Sequence, residues 1–171
     1  VRSVPSLLSR SVMVVAPDPP LHLMGSNGGI LEAGEAVAMP AMAVESGPAA
    51  GVVAASLVAR QTGRLDLLSL DMGGTTAKPS LLREGRYETT SDYEVGGGSS
   101  MTRWMNGTGH PIRVPVIDLA EVSAGGGSIA WVDRAGALRV GPQSAGAQPG
   151  PACYARGGTE PTVTAFNLML D

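Results

Sequence analysis

The residues whose types and spacing suit chemistry best lie in Leu70–Lys78, LDMGGTTAK, where an aspartate ends an apolar run and two glycines with two threonines turn the backbone sharply. A phosphate needs several backbone N–H groups converging on it with no side chain in the way, and hydroxyls at the rim add donors without bulk. Gly73, Gly74, Thr75 and Thr76 supply that combination. Asp71, just before the turn, suits holding a hydrated Mg2+ or orienting a water. Lys78 contributes positive charge on the condition that the strand twist turns it inward. An aspartate ahead of a Gly-Gly hairpin is also ordinary turn chemistry, so on this motif alone both readings stand.

A second glycine cluster, SAGGGS at Ser123–Ser128, follows an apolar run that carries Asp118 and Glu121. The three glycines Gly125, Gly126 and Gly127 let a ligand or another stretch of backbone come very close, which suits a phosphate or a reactive amide beside two carboxylates. The same carboxylates also suit a cap or a surface pair. His22 and His110 have no metal-ligand spacing and read as surface or core histidines. Cys153, in GPACYARGG with no histidine near it in sequence, reads as a buried small thiol. Trp131 alternates with Ile129 along an apolar run and reads as core, and the eight scattered Met signal packing.

Positioning these residues requires a series of short elements. LHLMGSNGGI is a strand closed by Asn27 and two glycines, followed by a short helix over roughly Glu32 to Met39. In ESGPAAGVVAASLVARQTG, Ser46 is placed to cap, Pro48 falls in the first turn and Gly63 lies past the end, predicting a helix of about fifteen residues. Its small or apolar faces all round predict burial on every side. LDLLSLDM and AKPSLLR, with turns at Gly73–Thr76 and Glu84–Gly85, read as a β-meander. Residues 91–111, with Gly96–Gly98, Trp104 and Gly107–His110, read as a loop, a lid or linker. RVPVIDLAEV is a strand, IAWVDRAGALRVG a hairpin turning at Ala135 and Gly136, and TVTAFNLML the start of a helix after a long irregular segment.

Composition sets the outer limits. With 171 residues and 43% apolar content the chain can build one domain with a real core. The 24 Gly and 13 Pro call for many tight turns. Twelve basic against fifteen acidic residues, with no basic run, give no footprint for a nucleic-acid backbone. No stretch approaches the ~20 apolar residues a bilayer span needs. The lone Cys153 excludes an intrachain disulfide or a zinc cluster and fits a reducing cytoplasm. Residues 1–20, with Arg2 and Arg10 beside Ser and Leu but broken by Pro5, look faintly like a targeting segment. They read more simply as the edge of a longer chain and stay unsupported.

A strand, an acidic residue, a GGT hairpin and another strand resemble the phosphate-loop pattern of the superfamily that includes actin, sugar kinases and acetate kinase. More specifically, SNGG at 26–29, SGPAAGV at 46–52, DMGGTTAK at 71–78, AGGGSIAWVD at 124–133 and LRVGPQSAGAQPGPACYARGGTEPTVT at 138–164 are similar, in this order, to the hydantoinase A family. The resemblance covers roughly residues 21–171. It implies an α/β fold, the central part of an actin-like ATPase (ribonuclease H-like) domain incomplete at both ends, with a mixed sheet, a β-meander phosphate loop and flanking helices.

The family includes ATP-dependent N-methylhydantoinases, 5-oxoprolinases and subunits of acetone and acetophenone carboxylases. The resemblance therefore implies opening of a small cyclic amide with ATP and Mg2+, through phosphorylation of the amide or enolate oxygen. It makes DMGGTTAK the second of two phosphate loops, and it implies a hydantoinase B-type subunit or domain as partner in an oligomer. Gly73, Gly74, Thr75, Thr76, Lys78 and Gly125–Gly127 are then the cofactor-binding candidates. Asp71, Asp118 and Glu121 are the catalytic ones, with Asp71 on the metal. Adenine-side contacts are expected partly from sequence beyond Asp171, and the 171 residues alone are expected to be inactive. A ketone carboxylase subunit would share the motifs, and a non-catalytic structural module or gene remnant is a further alternative. Pro79, Ser123, Gln143, Gln148 and Ala165 depart from the family pattern. Pro79 demands that its strand lie at an edge or that the loop be perturbed.

Overall fold

A computed structural model describes residues 21–95 and 110–170. The expected edge at 1–20 and the Gly96–Gly98, Trp104 and Gly107 part of the expected loop lie outside the described residues. Of those described, 21–69, 80–95 and 110–118 form one compact unit and 70–79 with 119–170 a second.

In the first unit, β1 (His22–Met24) and β2 (Ile30–Glu32) pair antiparallel around the SNGG turn. There the Asn27 carboxamide accepts the Gly29 amide, and Gly28 adopts φ +83, a conformation that favours glycine. Helix α1 (Ala33–Ala38) opens with the Glu35 carboxylate accepting the Glu32 amide at 2.9 Å. The buried Ser26 then gathers three segments: its amide donates to Met42 O, its carbonyl accepts from Ile117, and its hydroxyl accepts from the Glu45 amide.

Helix α2 (Ser46–Thr62) runs where the sequence predicted, but its cap is Glu45 and not Ser46. The Ala49 amide already bonds to Glu45 O, which starts the helix one residue early. Gly63, at φ +71, ends it as expected. Burial on every side is not observed. Ala49, Val52, Ser56 and Ala59 form one buried stripe at helical spacing, whereas Leu57 and Val58 are about half exposed. This stripe packs on β1, β5 and β9, and Ser56 Oγ donates to Gly85 O at 2.6 Å.

Strands β3 (Leu67–Met72), β4 (Ala77–Arg83) and β5 (Arg86–Tyr87) form the expected meander in that order. β6 (Thr89–Thr90) pairs with β9 (Val116–Ile117), and β7 (Tyr93–Val95) with β8 (His110–Ile112). The stretch read as a loop over 91–111 thus carries strands at both of its described ends. Conversely, the strand expected over 113–122 holds only at Val116–Ile117, with a bridge at Val122. Pro115 has no N–H to give, and the segment changes partner from Thr89–Thr90 to Ala77. Leu82, Val116, Ile117 and Val52 are the largest apolar side chains of this core.

In the second unit, Ala77 exchanges two 2.9 Å backbone bonds with Val122, and the Ala120 amide donates to Pro79 O at 3.0 Å. The return bond has no donor, because position 79 is proline. β4 is nevertheless the central strand of β3-β4-β5, not an edge as Pro79 demanded: the missing donor falls between the Ala77–Val122 bridge and the pairing of Leu82 and Arg83 with β5. β10 (Ser128–Val132) and β11 (Leu138–Ser144) make the expected hairpin. In its turn the Asp133 carboxylate accepts the Ala135 and Ala137 amides and the Arg139 guanidinium. Trp131 is not core. The buried face of β10 is Ser128 and Ala130, leaving Trp131 45% exposed with its indole N–H donating to Gly141 O. Cys153 is half-buried. Helix α3 (Val163–Leu170) starts at the fully buried Thr162, whose hydroxyl accepts the Ala165 amide and whose carbonyl accepts that of Phe166.

Sheet and helix are thus combined as expected, with the strands distributed over five small sheets and antiparallel pairing in the hairpins described. Among the described residues no helix is long and apolar enough to cross a membrane.

Leu82 and Leu81 are adjacent and opposite in burial, 0% against 51% exposed. In urea denaturation, Leu82→Ala is expected to lose about 2–5 kcal/mol of stability, while Leu81→Ala stays within about 0.5 kcal/mol of the parent. The Ala137 amide, the Arg139 side chain and the Ala135 amide hold the Asp133 carboxyl below its ordinary value of 3.8. A folded value below the unfolded one stabilises above the unfolded pKa and is lost as pH falls through the folded one. The melting-temperature gap between the parent and Asp133→Asn should therefore hold from neutral pH down to about the ordinary value of 3.8 and close as pH falls further. A gap independent of pH would remove the charge from the account.

Candidate functional site

The Gly73–Thr76 turn is closed by the Gly73 amide donating to Thr76 O at 2.9 Å. Its first two carbonyls are pinned by the second glycine cluster: the Gly126 amide donates to Gly73 O at 2.8 Å and the Gly127 amide to Gly74 O at 2.7 Å. Within a trans peptide unit the C=O and N–H point in opposite directions. Fixing the carbonyls of Gly73 and Gly74 on one side therefore turns the N–H groups of Gly74 and Thr75 to the other. Among the described residues, neither those two amides nor that of Thr76 donates to a protein acceptor. Gly73, Gly74 and Thr75 are exposed.

All three glycines of the cluster are demanded by close approach. A Cβ at Gly125 would stand 2.6 Å from the backbone nitrogens of Thr75 and Thr76, one at Gly126 2.6 Å from Thr164 Oγ1, and one at Gly127 2.9 Å from Gly74 O. Their amides are committed as well, since Gly125 N donates to Ser128 Oγ. The reading in which Gly125–Gly127 offer amides to a cofactor is thereby corrected: what comes very close to them is the backbone of the 73–76 turn. They position that turn.

A further clamp holds the cluster. Thr164, in the first turn of α3, donates both its amide and its hydroxyl to Gly126 O, each at 2.8 Å. Hairpin, glycine cluster and helix start together wall an open cleft of about 750 Å³ within the second unit. Gly73, Gly74 and Thr75 lie at one part of it, with Thr164, Asn167 and Tyr154 also on its walls. Among the described residues its lining holds no Asp, Glu, Lys, Arg or His, so there a bound charge is met by backbone and hydroxyl dipoles.

The other expected residues fall elsewhere. Asp71 precedes the turn on the face of β3 opposite Met72, half-buried, and does not line the cleft. Among the described residues its carboxylate has no hydrogen bond or ion pair. Lys78 and Glu121, both in the second unit, are half-buried and also off the lining. Asp118 belongs to the first unit, where it lines a separate 420 Å³ cleft with Arg83, Arg86 and Glu88. Asp118 and Glu121, three residues apart in sequence, are thus not brought together with the glycine turn as one carboxylate pair. Thr164, Ser128, Asn167 and Tyr154 were missed. Thr164 acts on Gly126, far off in sequence, for which spacing carries no signal, whereas Ser128 closes a local turn on the Gly125 amide three residues back.

The arrangement fits a polyphosphate: free amides beside threonine hydroxyls, in a cleft without carboxylates to repel it. Among the described residues no three of His, Cys, Asp and Glu gather to hold a metal. A Mg2+ carried in on phosphate oxygens needs only one or two protein carboxylates.

The sequence profile of the family described as hydantoinase/oxoprolinase matches residues 4–171. The caprolactamase subunit alpha of Pseudomonas jessenii is 40% identical over 88% of this chain and 20% of its own. The 5-oxoprolinase of Saccharomyces cerevisiae is 35% identical over 91% of this chain and 11% of its own. Among solved structures, nucleotide-free acetone carboxylase superposes with a TM-score of 0.71 at 23% identity over 97% of this chain and 22% of that one, a likeness of fold. The ATP-dependent caprolactamase from Pseudomonas jessenii gives 0.62 at 35% identity over 98% and 23%. The chain thus spans between about a tenth and about a fifth of the length of such relatives.

Adding one methyl group separates the two glycine clusters. Gly125→Ala must push the Thr75–Thr76 peptide out of place, whereas nothing lies within 4 Å of a Cβ at Gly74. Thermal melts should show Gly125→Ala well below the parent and Gly74→Ala close to it. Equal melting temperatures would mean that the two segments do not touch as described.

Proposed function

The chain belongs to the hydantoinase/oxoprolinase family, and on that premise we propose that it is part of an ATP-dependent enzyme that opens a small cyclic amide, with the Gly73–Thr76 turn receiving the terminal phosphates of the nucleotide. One observation carries the reading. Gly73, Gly74 and Thr75 line an open cleft, and the Gly74 and Thr75 amides, on peptide units whose carbonyls Gly126 and Gly127 pin, donate to no described residue. Preorganised amides of this kind stabilise charge where it develops on phosphoryl oxygens, without reorganising during the reaction.

Bound ATP would supply a phosphoryl group to the amide oxygen, making the ring carbonyl carbon electrophilic enough for water. This chain's contribution is to hold the phosphates through the 74–76 amides, with the hydroxyls of Thr75 and Thr76 at the rim. Asp71, which directly precedes Met72 and the turn and has no described protein partner, would hold Mg2+ or orient a water. An actin-like ATPase architecture suits the meander with its Asp-Gly-Gly-Thr turn. Relatives that are subunits, such as caprolactamase subunit alpha, support an assembly with a hydantoinase B-type partner, and the lone Cys153 suits the cytoplasm.

Calorimetric titration of ATP with Mg2+ into the 171-residue chain and into Asp71→Asn tests this. Binding to the parent is expected, with a several-fold loss in Asp71→Asn that appears only when Mg2+ is present. Negligible heat in both would sink the nucleotide reading and leave a structural module. In the complete enzyme, stimulation of ATP hydrolysis by cyclic amides supports the hydrolase assignment, and stimulation by a ketone with bicarbonate would move it to the carboxylase branch.

A further inference from the structure

The phosphate turn occupies only part of its cleft, and the rest has its own chemistry. Tyr154, at the end of the short 3-10 turn Ala152–Tyr154, lines the same cavity with its side chain 52% exposed. The ring edge lies close to Gly150, where an added Cβ would stand 3.4 Å from its Cδ2, and the Arg156 guanidinium sits over the ring 5.9 Å from its centroid. Helix α3 packs on this turn. Asn167, one helical turn beyond the Thr164 that clamps the glycine cluster, also lines the cavity. An exposed aromatic ring is costly to leave in water and useful against a flat π-system. A carboxamide beside it presents a donor and an acceptor, as the edge of a nucleobase requires. The described lining, with Pro151, Ala147 and Asn167 beside Tyr154, suits a neutral ring.

We propose that the Tyr154–Asn167 part of the cleft is the base-binding wall of the nucleotide site, so that one ligand lies with its phosphates on Gly74–Thr76, its base against the Tyr154 ring and the base edge toward Asn167. This rests on the nucleotide reading above, and it goes further in placing base contacts inside this segment of chain. A non-aromatic cyclic amide offers no comparable π-face, which assigns this wall to the nucleotide and not to the substrate.

The test compares two probes that share phosphates and differ in the base: Mg2+-ATP and Mg2+-tripolyphosphate, titrated into the 171-residue chain, Tyr154→Leu and Tyr154→Trp. Base–aromatic stacking predicts that Tyr154→Leu weakens ATP by between about fivefold and about a hundredfold and leaves tripolyphosphate unchanged, while Tyr154→Trp binds ATP at least as tightly as the parent. Leucine keeps apolar bulk, so a folding defect would show as equal loss of both probes, and that result overturns the assignment. Unchanged ATP affinity in Tyr154→Leu overturns it too, while leaving the phosphate site intact. If neither probe binds the parent, the phosphate reading itself fails and the base wall falls with it.

Discussion

Two backbone hydrogen bonds, from the Gly126 and Gly127 amides to the Gly73 and Gly74 carbonyls, are the constraint on which the candidate site depends. Peptide planarity converts them into an orientation: with the oxygens held, the N–H groups on the same peptide units point the opposite way. Everything else in the second unit supports that pair. Thr164 anchors Gly126, Ser128 occupies the Gly125 amide, and the buried Thr162 sets where α3 begins and hence where Thr164 sits. Glycine at 125, 126 and 127 is then a steric necessity, since each Cβ would fall within 3 Å of another group.

The local elements were largely legible in sequence because their signals are local. The turn residues Asn27, Gly63, Gly85 and Gly136 marked hairpins and a helix end where the structure has them. The 73–76 turn and its flanking strands followed from two apolar runs around GGTT. What sequence could not give was partnership. SAGGGS announces close approach without saying to what, and it proved to be the other glycine turn, some fifty residues earlier in the chain. The all-apolar helix α2 looked buried on every side, yet only the stripe from Ala49 to Ala59 finds cover in the first unit. Asp118 and Glu121 looked paired by spacing, but the chain changes partner between them, from Glu88 O at the Asp118 amide to Pro79 O at the Ala120 amide.

Family membership fits this division of labour. The motifs that resemble the hydantoinase A family converge in the second unit as the wall of one cleft, at 71–78, 124–133 and 138–164. Those at 26–29 and 46–52 meet in the first unit, where Ser26 Oγ accepts the Glu45 amide just ahead of helix α2. Among the departures from the family pattern, Pro79 has a visible structural effect: it costs the central strand β4 one donor between its bridge to Val122 and its pairing with β5.

A cradle assembled from main chain on main chain has an unusual vulnerability. Its members already carry the smallest side chain available, so nothing can be deleted from them, and every substitution is an insertion of volume into contact distance. Scanning this chain with alanine therefore reports opposite things at different places: a removal at Tyr154, and at Gly125–Gly127 a wedge. Sensitivity of those glycines to replacement would measure how tightly two strands of polypeptide are pressed together, and tell nothing about whether either glycine ever touches a ligand.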